Sequence, residues 1–207
     1  MIDFNYGLYP VITEEFCNGR DSIFVLKEVI KGGAKIVQLR EKNKKHKEIY
    51  DIALKYREIT DKHNVTLIVD DYLDIAMAVN ADGVHLGQED LPCSVAQKIA
   101  PHLIIGVSTH NKEEIEKAIN DGASYINIGP IFETQTKKNS YPAIGLELLK
   151  ELKPDFPFSV MGGIKREHIK SLVEMGVKNI AMVTEITMAE DIAQKVSEII
   201  NMIEKYK

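Results

Sequence analysis

Residues 103–128 read Leu-Ile-Ile-Gly-Val-Ser-Thr-His-Asn-Lys-Glu-Glu-Ile-Glu-Lys-Ala-Ile-Asn-Asp-Gly-Ala-Ser-Tyr-Ile-Asn-Ile. Leu103–Val107 is short, apolar and β-branched, which predicts a strand. Lys112–Asn120 reads as a helix, and Gly122 offers the positive φ that ends one. Ser124–Ile128 is a second strand. Strand, helix and strand in so short a stretch make a βαβ unit, whose two strands run parallel.

The same beat runs outward in both directions. Strands are expected at Leu8–Ile12, Lys35–Leu39, Thr66–Val69, Gly83–Leu86, Phe158–Met161 and Asn179–Met182. Helices are expected at Ser22–Lys31, Lys45–His63, Leu73–Val79, Ser94–Ile99, Leu146–Leu152, Glu167–Met175 and Ile192–Ile203. Ser22–Lys31 has helical spacing at Ile23, Leu26, Val29 and Ile30. Lys45–His63 puts Ile49, Ile52, Ala53, Tyr56 and Ile59 on one face. The sum is eight β/α units, which close most naturally into a TIM (β/α)8 barrel, α/β with eight parallel strands, over one domain, 1–207. An open doubly wound sheet more often has fewer strands. A glycine beat supports the count: Gly33-Ala34, Ala81-Asp82-Gly83, Gly122-Ala123 and Gly176-Val177, each read as a helix C-terminus.

The chain has 207 residues, 44% hydrophobic and 28% charged, enough to bury a core. Its net charge of −5 argues against nonspecific nucleic-acid binding. Cys17 and Cys93 lack metal-ligand spacing and read as reduced thiols. No basic-then-apolar leader and no apolar run of spanning length is visible, so a cytoplasmic protein without a membrane segment is expected.

In such a barrel the site is built from loops after the strands. Polar residues there include Gln38, Arg40, Glu41 and Lys42, then Asp70 and Asp71, then Gln88, Glu89 and Asp90, then Ser108, Thr109 and His110. Hard carboxylate oxygens from Asp71 and Asp90 suit Mg²⁺, which takes one or two carboxylates plus phosphates and water. The competing reading is a helix-start carboxylate, stronger for Asp71 than for Asp90. Arg40 and Lys42 beside such a metal suit diphosphate oxygens. Gly129-Pro130 stops the strand at Ile128, and Thr134, Thr136 and Lys137 follow in a loop suited to phosphate. Met161-Gly162-Gly163-Ile164 and Val183-Thr184 lie after the last two strands, where phosphate sites of this fold often sit. Two anion sites are therefore expected, which an enzyme of two phosphorylated substrates would need. His85 reads as a packed barrel residue. His110 reads as a base or a helix cap. His46, His63, His102 and His168 read as surface positions. No Ser-His-Asp arrangement or zinc spacing is found.

Six motifs, in order, carry a resemblance that spans nearly all of the chain. They are Gln38-Leu39-Arg40-Glu41-Lys42, Asp70-Asp71, Asp82–Pro92, Ile105–His110, Gly129–Lys137 and Gly162-Gly163-Ile164. The chain resembles the thiamine phosphate synthase family. That resemblance implies a barrel that joins a pyrimidine diphosphate to a thiazole phosphate, or its carboxylated form, with Mg²⁺, giving thiamine monophosphate and diphosphate. It implies that Gln38, Leu39, Arg40, Glu41, Lys42 and Asp70 meet the pyrimidine diphosphate, and that Asp71 and Asp90 hold the metal. It places Ser108 near the pyrimidine amino group and diphosphate. It gives Thr134, Gln135, Thr136, Gly163, Val183 and Thr184 to the thiazole phosphate, with Lys137 bridging to the diphosphate. Arg40, Lys42, Ser108 and Lys137 become the catalytic set. A homo-oligomer is left open. Three departures stand out. Asp70 replaces the usual Asn, which loses a donor and sets two like charges side by side. Thr184 replaces Ser. Glu185 adds a negative charge near the expected phosphate. The alternatives are a thiazole tautomerase of the same fold and a noncatalytic barrel that binds thiamine precursors. Retention of Arg40, Lys42, Asp71, Asp90 and Lys137 favours the synthase.

Overall fold

Each strand pairs in parallel with the next, and the last closes on the first. The structure, a computed structural model, describes residues 4–134 and 141–207. The strands are β1 (Gly7–Ile12), β2 (Ile36–Leu39), β3 (Thr66–Asp70), β4 (Gly83–Leu86), β5 (Ile104–Thr109), β6 (Tyr125–Ile128), β7 (Phe158–Val160) and β8 (Asn179–Met182). The closing ladder pairs Gly7 with Asn179 and Pro10 with Met182. The expected TIM barrel is therefore the fold.

The helices among the described residues are α1 (Ser22–Lys31), α2 (His46–His63), α3 (Leu73–Ala78), α4 (Cys93–Ile99), α5 (Lys112–Asn120), α6 (Gly145–Leu152), α7 (Ile169–Glu174), α8 (Thr184–Thr187) and α9 (Ile192–Tyr206). The Asp21, Asn111 and Asp191 side chains cap α1, α5 and α9 by accepting first-turn N–H groups. Asn111, rather than His110, is thus the cap of α5.

The expected Glu167–Met175 helix divides into a 3₁₀ turn at Arg166–His168 followed by α7. Another 3₁₀ turn at Glu14–Phe16 and α8 were not foreseen, because three or four residues are too few to show a helical period. The glycine beat holds at Gly33, Gly122 and Gly176, all with positive φ. It fails at Gly83, which lies in β4. There Asn80 takes the left-handed turn, and a Cβ on Gly83 would sit 2.3 Å from the Ile104 carbonyl oxygen.

Strand residues are buried on both faces, so their sequence reads as apolar runs without alternation. The alternation emerges in space. Leu8, Ile12, Val37, Leu39, Leu67, Val69, Ile126 and Ile128 face the helices. Tyr9, Val11, Ile36, Ile68, Tyr125 and Ala181 pack together inside the barrel with Phe4. Two residues beyond three of these interior positions come Gln38, Asp70 and Asn127, all buried and polar. The period-two rule thus aims polar groups at the C-terminal mouth.

The other end is closed. The Asn179 amide donates to the carbonyls of Phe4 (2.8 Å) and Phe158 (3.0 Å), and its oxygen accepts from Tyr6 N–H (2.7 Å). Phe4 stacks beneath Tyr125 with ring centroids 4.1 Å apart.

Candidate active site

At the mouth lies a cavity of about 310 Å³. Seven of the eight strands or their following loops contribute to it, β2 through β8. Gln38, Arg40, Lys42, Asp70, Asp71, Asp90, Ser108, Thr134, Gly163, Val183 and Thr184 all line it, so the structure gathers these expected site residues into one space. Two others point elsewhere. Leu39 packs into the core under the helices. Glu41 is buried and accepts the Glu14 N–H at 3.0 Å, tying the loop after β1 to the loop after β2. Burial pushes its carboxyl up. Gln135, Thr136 and Lys137 lie outside the described residues.

The charged half of the mouth is a tight cluster. Lys42 Nζ lies 3.0 Å from Asp70 Oδ2 and in closer contact with Asp71 Oδ2. Arg40 Nε lies 3.5 Å from the same Asp70 oxygen. That oxygen is buried and makes ion pairs without a well-directed hydrogen bond. Burial opposes the charge on Lys42, yet the two aspartates hold its pKa above the ordinary lysine value. The like-charge repulsion expected between Asp70 and Asp71 is therefore met by a lysine set between them.

Asp71 is not the cap of α3. That place belongs to Tyr72, while Asp71 adopts a left-handed φ of 64° and turns its side chain into the cavity. Asp is among the few non-glycine residues that tolerate this conformation. Asp90 accepts the Gly87 N–H at 2.6 Å. Burial first, and then the neighbouring Asp71 carboxylate, push its pKa up. Two carboxylates brought this close form a site for positive charge. Among the described residues no group of three or more His, Cys, Asp or Glu side chains could hold a metal. The pair fits Mg²⁺ nonetheless, since that ion completes its shell with phosphate oxygens and water.

The other half is built from backbone. Gly162 and Gly163 have φ of 103° and 60°. A Cβ at Gly162 would meet Pro130 Cβ at 2.4 Å, and one at Gly163 would meet the Glu133 carbonyl oxygen at 2.3 Å. The glycine pair therefore lets the loop after β7 lie against the loop after β6. Glu185 Oε2 sits 3.3 Å from Lys165 Nζ, and its Oε1 3.7 Å from Lys195 Nζ. The extra negative charge expected from Glu185 is thus offset by two lysines.

Several lining residues were not foreseen as site residues. His85 hydrogen-bonds at both ring nitrogens, to Tyr125 Oη and to Ser108 Oγ, each 2.9 Å away. Asn127, Tyr141 and Lys165 also line the cavity. His110 bonds Glu114 (2.7 Å) and stacks on Tyr141, centroids 3.5 Å apart. His168, expected at the surface, is half-buried and stacks on Phe132 at 3.9 Å. For His85 the signal was present, since its strand position shares the inward phase of Asp70.

A closed parallel barrel with one polar cavity at the C-terminal ends of its strands defines a TIM-barrel protein with its site where enzymes of that fold keep theirs. A family model described as thiamine monophosphate synthase matches residues 8–186. A thiamine-phosphate synthase of Caldicellulosiruptor saccharolyticus is 43% identical over 206 residues, covering 98% of this chain and 93% of that one. One of Dictyoglomus turgidum is 44% identical over 206 residues, covering 98% and 92%. The solved thiamine phosphate pyrophosphorylase from Pyrococcus furiosus superposes with a TM-score of 0.89 at 34% identity, covering 97% of this chain and 96% of that one. The chain belongs to the thiamine monophosphate synthase family.

No helix of the described residues is long and apolar enough to cross a membrane.

Proposed function

We propose that this chain, acting as one barrel domain, joins a pyrimidine diphosphate to a thiazole phosphate and releases diphosphate, leaving thiamine monophosphate. The observation that carries the reading is one cavity with two unlike halves. Arg40, Lys42, Asp71 and Asp90 crowd one side, and the glycine pair with Val183 and Thr184 forms the other.

Arg40 and Lys42 bind the diphosphate, exchanging their pairing with Asp70 for phosphate oxygens. Asp71 and Asp90 hold Mg²⁺, which when bound supplies positive charge against the leaving diphosphate. Gln38 orients the pyrimidine, and Ser108 stands where the pyrimidine meets the diphosphate. Thr134, Gly163 and the Val183–Thr184 backbone hold the thiazole phosphate, with Gln135, Thr136 and Lys137, next in sequence after Thr134, as further ligands. The carbon–oxygen bond to diphosphate breaks first, its electron pair leaving with the oxygen. The resulting pyrimidine carbocation is captured by the lone pair of the thiazole nitrogen. Fixed positive groups aimed at the departing oxygens lower the barrier without reorganising. The chemistry needs no side-chain nucleophile.

Mixing the purified chain with pyrimidine diphosphate, thiazole phosphate and Mg²⁺ tests this. Diphosphate and thiamine monophosphate should appear in equal amounts. Binding of both compounds with no product would leave a noncatalytic barrel, and isomerisation of a thiazole carboxylate phosphate instead would mark a tautomerase.

A further inference from the structure

Five polar side chains form a continuous hydrogen-bonded path through the barrel interior. Gln38 Nε2 donates to Tyr9 Oη at 3.1 Å. Tyr9 Oη and Tyr125 Oη are 2.9 Å apart. Tyr125 Oη lies 2.9 Å from His85 Nδ1, and His85 Nε2 lies 2.9 Å from Ser108 Oγ. Both tyrosines are fully buried, and Gln38 and His85 nearly so. Gln38, His85 and Ser108 line the cavity, while Tyr9 packs in the barrel interior below it.

The inventory of donors gives this path a direction. The Gln38 amide nitrogen can only donate, so Tyr9 accepts there, and pairing its own buried proton has it donate to Tyr125. Tyr125 then sends its proton to His85 Nδ1. Burial keeps both phenols protonated. A neutral His85 that accepts at Nδ1 then carries its ring proton on Nε2 and donates it to Ser108. The Ser108 oxygen is occupied as an acceptor, and its own proton turns to the cavity.

We propose that His85 is a positioning residue which, oriented by Tyr125 and Tyr9, fixes the Ser108 hydroxyl as a hydrogen-bond donor to an acceptor oxygen of the diphosphate. The identity of the ligand rests on the synthase reading; the polarity of the path does not. The opposite tautomer would make Ser108 an acceptor, suited to the pyrimidine amino group instead. The direction of the path thus decides which part of the substrate Ser108 serves.

The tautomer is read first, by ¹⁵N-detected NMR of the uniformly labelled wild-type chain without ligand. A neutral His85 protonated at Nε2 is expected; protonation at Nδ1 overturns the proposal. Inorganic diphosphate with Mg²⁺ is then titrated calorimetrically. Ser108→Ala should weaken its binding about tenfold, the scale of one hydrogen bond to a charged group. Tyr125→Phe keeps the ring stacked on Phe4 and removes the orienting hydroxyl, so it should weaken binding a few-fold. Combined with Ser108→Ala it should add nothing, because its effect passes through Ser108. Additive losses would mean that Tyr125 supports only the fold, and would also overturn the proposal. The wild-type spectrum keeps the question decidable if Tyr125→Phe destabilises the barrel. Turnover is assayed separately: an inactive wild-type chain would sink the synthase reading and leave the tautomer and the diphosphate titrations to be judged by themselves.

Discussion

Lys42 Nζ stands 3.0 Å from Asp70 Oδ2, so a cation expected to bind diphosphate is held by a carboxylate of the same chain. Arg40 shares that oxygen at 3.5 Å. Any anion entering the mouth competes with Asp70 for both. The negative charge of Asp70 therefore has partners ready.

Asp70→Asn should release that hold. The amide keeps the shape, restores a donor and removes the competing charge. Diphosphate affinity should rise several-fold, and less Mg²⁺ should be needed to reach it. Calorimetric titrations across a Mg²⁺ series would show this. Weaker binding at every Mg²⁺ concentration would mean that Asp70 is itself a ligand in this chain.

Asp90→Ala should leave the barrel folded and reduce Mg²⁺-dependent turnover by orders of magnitude, since half of the carboxylate pair is lost. Circular dichroism checks the fold and diphosphate release checks the rate. Turnover at the wild-type rate would leave Asp90 as a turn residue that caps the Gly87 N–H.

Gly163→Ala adds a methyl group 2.3 Å from the Glu133 carbonyl oxygen at a φ of 60°. Backbone in that region costs a non-glycine residue about 1–3 kcal/mol. The melting temperature should fall, and KM for the thiazole phosphate should rise more than KM for the pyrimidine diphosphate. Equal changes in both would separate the glycine pair from the phosphate.

Alkali should weaken the fold. Burial pushes the Cys17 thiol up to about 12 and the Cys93 thiol up to about 11, from an ordinary value of 9.0. Tyr56 and Tyr125 are likewise raised well above theirs by burial. The folded chain keeps these protons where the unfolded chain has lost them, so stability falls as pH rises. The contribution is fully present below about pH 9 and declines from there, by about 1.4 kcal/mol per pH unit for each group in its window. Urea midpoints at about pH 8 and about pH 10.5 should differ clearly; equal midpoints would falsify the assignment.

The strands and most helices were legible because both-face burial and helical spacing leave strong marks in sequence. Lys112–Asn120 and Gly83–Leu86 end where the pattern ends. The cations and carboxylates of the mouth were legible too, since they directly follow strands. The Gln38–Tyr9–Tyr125–His85–Ser108 path was not. Its members lie on β1, β2, β4, β5 and β6, and only barrel closure brings them together. The direction of Glu41 was hidden for a similar reason: its partner, the Glu14 N–H, belongs to a 3₁₀ turn too short to read.

Among the described residues, the segment pinned by Asn179 makes the barrel a vessel that opens at its mouth. Phe4 and Tyr6 pack across the far end, so among the described residues the way in at the mouth is also the way out. In a two-substrate condensation the compound seated deeper cannot depart past one seated above. Were the two phosphates to seat at different depths, traffic through that mouth would set an order on arrival and release before any chemistry is considered.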